Sequence, residues 1–331
     1  MEGIALVTGA SAGVGRATVR RLAADGYDVA LVARGREGLE ATRTEVERLG
    51  RRALVLPADV AEASQLEDAA ERAESALGPI DVWVNNAMTT VFSPFMETEP
   101  DEFRRVTEVT YLGVVWGTRA ALKRMVPRDR GSIVLVGSAL AYRGIPLQAA
   151  YCGSKHAIKG FFESVRSELL HDGSSIRISM VDLPAVNTPQ FDHCRTRLPK
   201  QPQPVPPIYQ PEVAADAIAW AARTGEREVY VGAPTWKTIW GERIAPGIAD
   251  HYLAKNGYEG QQADQPVNGD RPDNLFVPVE GDHGAHGRFE EGTRERSPLL
   301  WLGKHRRALG AAALAGAGAA AAAAIRTTTR D

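Results

Sequence analysis

Short, nearly continuous apolar runs recur along the first two-thirds of this 331-residue chain, with helix-length stretches between them. The runs are Ile4-Ala5-Leu6-Val7, Val29-Ala30-Leu31-Val32, Ala53-Leu54-Val55-Leu56, Val82-Trp83-Val84, Ile133-Val134-Leu135-Val136 and residues 176–181. A strand without polar alternation is covered on both faces, as in a parallel sheet between helix layers. The intervening stretches read as helices over residues 13–25, 38–49, 64–77, 102–125 and 149–170. Strand–helix alternation of this kind means βαβ units and a doubly wound α/β sheet. Right-handed crossovers then gather the strand C-termini, and any ligand, on one edge.

The pattern fades downstream. Residues 199–211 hold Pro202, Pro204, Pro206 and Pro207, which rules out a regular helix or an inner strand. A helix over 212–223 and a short strand over 229–231 follow. The expected organisation is a nucleotide-binding domain over 1–235, including a substrate loop at 189–211, then a loop-rich extension over 236–307. Within the extension, 261–292 reads as a polar wrap rich in Gly, Pro, Asp and His. An alanine-rich tail, expected as a helix, covers 308–331.

Bulk properties narrow the function classes. A net charge of −2 gives no general basic field, so nucleic acid is not an expected partner. Two cysteines make no disulfide framework and point to a reducing compartment. No charged and apolar leader precedes the first strand, so the expectation is a cytoplasmic protein without a secretory signal.

The first strand runs into Thr8-Gly9-Ala10-Ser11-Ala12-Gly13-Val14-Gly15, which opens a helix. Glycines let the backbone turn tightly and approach a pyrophosphate, and the helix N-terminus offers free N–H groups to it. The second strand ends in Val32-Ala33-Arg34-Gly35-Arg36. An acidic residue there would grip a ribose 2′-hydroxyl; guanidinium instead suits a 2′-phosphate. NADP(H) is therefore expected over NAD(H), with Arg34 the first contact and Arg36 the second.

Further along, Ser138 ends the fifth strand, and Tyr151 and Lys155 lie four residues apart on the helix that follows. Four residues is one helical turn, so ammonium and phenol share a face. A phenol titrates near pH 10, and bringing it to about 7 takes roughly 4 kcal/mol. One unit charge at about 4 Å supplies that order of energy at an effective dielectric near 20. Tyr151 is the candidate proton donor or acceptor, Lys155 its electrostatic partner and ribose ligand, and Ser138 the group that holds the substrate oxygen.

These motifs, with Asn85-Asn86-Ala87, resemble those of the short-chain dehydrogenase/reductase family over roughly residues 1–235. The resemblance implies a Rossmann fold with strand order 3-2-1-4-5-6-7. It implies homodimers or homotetramers built on the helices over 102–125 and 149–170. It implies cofactor contacts from Thr8, Gly9, Ser11, Gly13, Val14, Gly15, Asn86, Ala87, Tyr151, Lys155, Val186 and Thr188, adenine contacts from Asp59 and Val60, and a strand-stabilising role for Asn85. Hydride transfer between a nicotinamide and a carbonyl/alcohol pair is the implied activity.

Three positions depart from the family pattern. Met88 replaces a glycine beside the nicotinamide. Leu183-Pro184 stands where Pro-Gly is expected. Thr110 stands where an asparagine helps to hold a water linked to Lys155, so its place in the catalytic set is open. These departures keep a second reading, a dinucleotide-binding regulator or scaffold with little turnover. Met88, Val91, Phe92, Phe95, Leu140, Tyr142, Ile145, Leu147, Phe191 and Tyr209 lie in segments expected to border a hydrophobic substrate pocket. Asp282, His283 and His286 are potential ligands in a glycine-rich setting, and no metal is expected there. Residues 308–325 carry no charge before Arg326 and as a helix would span about 27 Å. Behind Trp301 and Lys304-His305-Arg306-Arg307, this run keeps a weak membrane contact as the alternative to a soluble tail.

Overall fold

The computed structural model describes residues 3–267, 269, 271–306 and 309–310. Seven parallel strands form the central sheet: β1 (Gly3–Thr8), β2 (Tyr27–Ala33), β3 (Ala53–Pro57), β4 (Ile80–Asn85), β5 (Ser132–Ser138), β6 (Arg177–Leu183) and β7 (Glu228–Tyr230). Their order is β3-β2-β1-β4-β5-β6-β7, as the resemblance implied.

The period-two geometry of a strand sends neighbouring residues into opposite layers. Val7, Val84 and Val134 pack on one face with Val19 and Leu22 of α1 (Gly13–Ala24), Leu39 of α2 (Arg36–Arg48) and Ile218 of α8 (Pro211–Thr224). Leu6, Trp83 and Leu135 pack on the other with Leu66 of α3 (Ala63–Leu77), Ala121 of α5 (Gly113–Met125), and Ile158 and Phe162 of α6 (Ala149–His171). Each large side chain fully buried here contributes about 1.5–3 kcal/mol.

Two expectations need correction. The helix read over 102–125 is interrupted: α4 (Pro100–Thr107) passes into a π-helical turn, Glu108–Leu112, before α5. Pro100 and the reciprocal Glu99/Glu102 cap start α4 earlier than its apolar pattern indicated. The extension is also less loop-like than expected, because α9 (Gly232–Ile244) and α10 (Pro246–Asn256) open it. Pro246 stands in the first turn of α10, where a missing N–H costs nothing. A four-residue turn of helix, α7 (Gln190–His193), lies in the substrate loop.

Beyond these helices, Gln262–Pro266 pairs antiparallel with Lys200–Pro202. The chain then crosses the C-terminal edge of the sheet, meeting Gly13, Arg34, Thr89, Arg105 and the end of α7. The alanine-rich helix expected over 308–331 lies, apart from residues 309–310, outside the described residues.

Candidate active site

Thr8 ends β1 and ties it to β4. Its hydroxyl accepts from the N–H groups of Asn86 and Ala87 at 3.0 and 3.1 Å and donates to the Val84 carbonyl at 3.3 Å. Asn86 Nδ2 donates back to the Thr8 carbonyl at 2.9 Å. Gly9 and Gly13 have φ of +68° and +55°, and a Cβ on Gly15 would stand 2.0 Å from the Gly9 carbonyl oxygen. Side chains there would fill the turn. Helix α1 begins at Gly13 without a side-chain cap. This close-packed loop, with no side-chain cap on α1, suits an anionic group such as a dinucleotide pyrophosphate.

A cavity of about 950 Å³ runs from this loop along the strand ends. Gly9, Ser11, Gly13, Val14, Asp59, Val60, Asn86, Ala87, Val186 and Thr188 line its length, and Ser138, Tyr151 and Lys155 lie toward its other end. The sequence-predicted cofactor and catalytic residues therefore share one cavity, except Thr8, Gly15, Arg36 and Thr110. Thr8 and Gly15 build the loop from behind.

Tyr151 is partly exposed to the cavity, with its phenol end deep among protein atoms. Burial pushes the phenol above its ordinary range, and the nearby Ser138 hydroxyl opposes that. Ser138 Oγ also accepts from Leu140 N at 3.1 Å, which fixes the hydroxyl at the strand end. Lys155 is 3% exposed and donates from Nζ to the Val136 carbonyl at 2.7 Å. Burial brings its ammonium down to about 8, against the attraction of Asp182.

Asp182 was missed from sequence. It sits on β6 opposite Gly137, and burial and then Glu228 raise its carboxyl to about 7. Tyr142 Oη donates to Oδ2 at 3.1 Å, while Oδ1 has no hydrogen-bond partner among the described residues. A Cβ on Gly137 would lie 2.2 Å from Oδ1. The visible signal was a carboxylate inside the otherwise apolar run Met180-Val181-Asp182-Leu183.

Other predicted residues are engaged elsewhere. Thr110 is fully buried, and its hydroxyl accepts from Thr89 N at 3.1 Å and donates to Thr89 O at 2.9 Å. It thus closes on the backbone and lies outside the cavity lining. The Arg34 guanidinium donates to the carbonyls of Leu275 at 3.3 Å and Phe276 at 3.0 Å, and also to that of Asn274. Arg36 is exposed and pairs with Glu40 at 3.5 Å. Asp59 pairs with Arg105. Arg143, which lines the cavity, pairs with Glu242 of α9 and Asp250 of α10 at 2.7 and 2.5 Å.

The hydrophobic pocket set also divides. Met88, Leu140, Ile145 and Phe191 line the cavity. Val91, Phe92, Leu147 and Tyr209 are buried in packing clusters instead, Phe95 is exposed, and Tyr142 is turned to Asp182. Val205, Tyr252 and Leu253 take their place in the lining, and the last two come from α10, which the periodicity did not reveal.

The family model described as short chain dehydrogenase matches residues 3–198. The chain belongs to the short-chain dehydrogenase/reductase family. This dehydrogenase/reductase is 33% identical over 267 residues to the uncharacterized oxidoreductase YxnA of Bacillus subtilis, covering 80% of the chain and 75% of that protein. Among solved structures it is similar to a metagenomic short-chain oxidoreductase in complex with NADP, at 28% identity and a TM-score of 0.59, over 69% of the chain and 96% of the other. It is also similar to a short chain dehydrogenase from Mycobacterium paratuberculosis bound to NAD, at 25% identity and a TM-score of 0.59, over 69% and 95%. As a member of this family the chain is an NAD(P)-dependent oxidoreductase. Among the described residues no cluster of three His, Cys, Asp or Glu suits a metal, and no helix is long and apolar enough to cross a membrane.

Proposed function

We propose that this short-chain dehydrogenase/reductase uses NADP(H) in preference to NAD(H) and interconverts a hydrophobic ketone or aldehyde with its alcohol. The observation that carries the reading is the gathering of Ser138, Tyr151 and Lys155 along one cavity, with Lys155 buried one helical turn from Tyr151. The bound nicotinamide supplies or accepts the hydride. Ser138 holds the substrate oxygen as charge develops on it. Tyr151 gives that oxygen a proton in reduction and takes it back in oxidation. Lys155 places a positive charge beside the phenol, offsetting the burial that otherwise disfavours phenolate. Met88, Leu140, Ile145, Phe191 and Leu253 offer an apolar wall for the substrate body. Arg34, with no acidic residue at the end of β2, supports the NADP(H) preference.

The test is NADPH oxidation over a panel of aldehydes, ketones and quinones, with Tyr151→Phe as control. Turnover by the wild type, and its loss in the variant, is expected. Tight NADPH binding without turnover of any panel member, or a Tyr151→Phe enzyme at full rate, contradicts the assignment. We also propose a homodimer or homotetramer using α4, α5 and α6, the helices that the family resemblance points to. The mass in solution checks that, and comparing cell fractions of the full chain with those of a chain ending at residue 307 checks membrane contact by the tail.

A further inference from the structure

The extension does more than follow the surface. Residues 271–287 run beside the cofactor end of the cavity, where Asn274, Pro278, Val279, Gly281 and His283 line it together with the glycine loop. Their attachments fall on the groups that build that end. Gly284 O accepts from Gly13 N at 3.1 Å. Asp282 pairs with Arg16 in the first turns of α1, a guanidinium also bonded to Glu45. The carbonyls of Asn274, Leu275 and Phe276 converge on the Arg34 guanidinium. Asp273 pairs with Arg195 at 2.9 Å, and Asn274 N donates to His193 O at 2.8 Å, so the segment also grips the substrate loop. The His283 ring lies against that of His193, 4.1 Å between centroids.

We propose that residues 271–287 form a strap that completes the cofactor site and gates its exchange: the dinucleotide is taken up and released only when the strap lifts. The inference rests on a nicotinamide cofactor occupying this cavity and does not depend on which of the two cofactors is preferred. The strap spans from the end of β2 to the start of α1, the two elements that would hold the adenosine ribose and the pyrophosphate. A bound dinucleotide is thereby enclosed between sheet edge and strap. Several of the strap's anchors are backbone carbonyls, which substitution does not remove. The Asp282–Arg16 pair is the side-chain latch, and Asp282 is half-exposed, so replacing it leaves the core intact. A gate changes association and dissociation together and leaves affinity nearly unchanged, whereas a competitor for the site slows association alone.

The experiment is stopped-flow binding of NADPH and of NADH to the full chain in wild-type, Asp282→Ala and Asp282→Lys forms, with hydrogen exchange of residues 271–287 read with and without cofactor. The lysine variant sets like charge against Arg16 and is expected to raise both rate constants at least fivefold, with Kd within threefold. The alanine variant should show a smaller rise in both, and wild-type exchange over the strap should slow when cofactor binds. Rate constants within twofold of wild type in both variants overturn the gate. So does strap exchange that cofactor leaves unchanged, or an increase confined to association. NADH binding without NADPH binding instead defeats the proposed NADP(H) preference, and the strap is then read with NADH. Failure of both cofactors to bind any form defeats both proposals.

Discussion

Lys155 Nζ is bonded to the Val136 carbonyl at 2.7 Å and stands 5.5 Å from the centre of the Tyr151 ring. One ammonium therefore joins α6 to β5 two residues before Ser138 and sets a positive charge beside the phenol. The strand that delivers Ser138 and the helix that delivers Tyr151 are thus held together by the same ammonium that is proposed to favour phenolate.

Replacing Lys155 with Met should lower kcat by at least a hundredfold, through the loss of that charge and of a ribose donor. Stability should respond differently. Burial holds the folded-state ammonium near 8, below its ordinary 10.5, so the folded protein releases this proton more readily than the unfolded chain. Wild-type stability therefore gains from this group as pH rises from about 8 to 10.5, and the full cost of the buried cation is felt below 8. Any advantage of Lys155→Met over wild type should shrink across that window. Melting temperatures of both proteins at pH 7 and pH 10 check the sign; wild type losing ground to the variant as pH rises contradicts it.

Asp182→Asn should move the alkaline limb of the pH profile. Asp182 titrates near 7 and is ionised at the pH where Lys155, near 8, loses its proton. Its negative charge raises the lysine's pKa, so removing it lets Lys155 deprotonate at lower pH. In the reduction direction the alkaline limb of kcat/KM should shift toward acid by about one unit, the usual scale of one nearby charge. A limb that stays in place shows that Asp182 does not act through Lys155.

Thr110→Ala tests the position where the family pattern was broken. The Thr110 hydroxyl serves both backbone groups of Thr89, so its loss leaves a buried N–H and C=O unpaired, at about 1–3 kcal/mol. Denaturant unfolding should show that loss, while kcat at saturating substrate should stay within about threefold. A large fall in kcat with unchanged stability places Thr110 in proton transfer after all.

Much of the fold was legible because the sheet is parallel and inner. Its strands, Ile4 to Val7 and Ile133 to Val136 among them, are apolar on both faces and stand out from any background. That Ser138, Tyr151 and Lys155 would share one cavity was legible because Ser138 ends a strand and the other two lie one helical turn apart on the helix that follows. What escaped depends on contacts distant in sequence. Nothing near Asn274 or Asp282 announces Arg34 or Arg16 as partner, since those attachments join residues more than two hundred positions apart. The ten apolar pocket candidates were chosen by segment, and segment position does not say which face turns inward; Phe92 and Leu147 turn away into packing, while Phe191 packs there and lines the cavity as well.

Arg34 carries two demands that a single substitution can separate. Its guanidinium is planar and forked, so carbonyl oxygens of the strap can occupy some donors while others remain for a phosphate. Burial lowers its pKa, but a guanidinium starts far above neutral and the Asp59 carboxylate opposes the shift, so the group remains a cation at working pH. Arg34→Ala removes both the phosphate partner and the strap anchor. NADPH affinity should fall at least tenfold, because a charge-assisted bidentate contact is lost. NADH, with no 2′-phosphate, should lose no more than about threefold, the part due to the strap alone. Arg34→Lys keeps the charge without the fork and should fall between wild type and alanine for NADPH. Fluorescence titration of both cofactors against the three proteins measures the ratio directly, and equal losses for NADPH and NADH would assign Arg34 to the strap and remove it from the 2′-phosphate site.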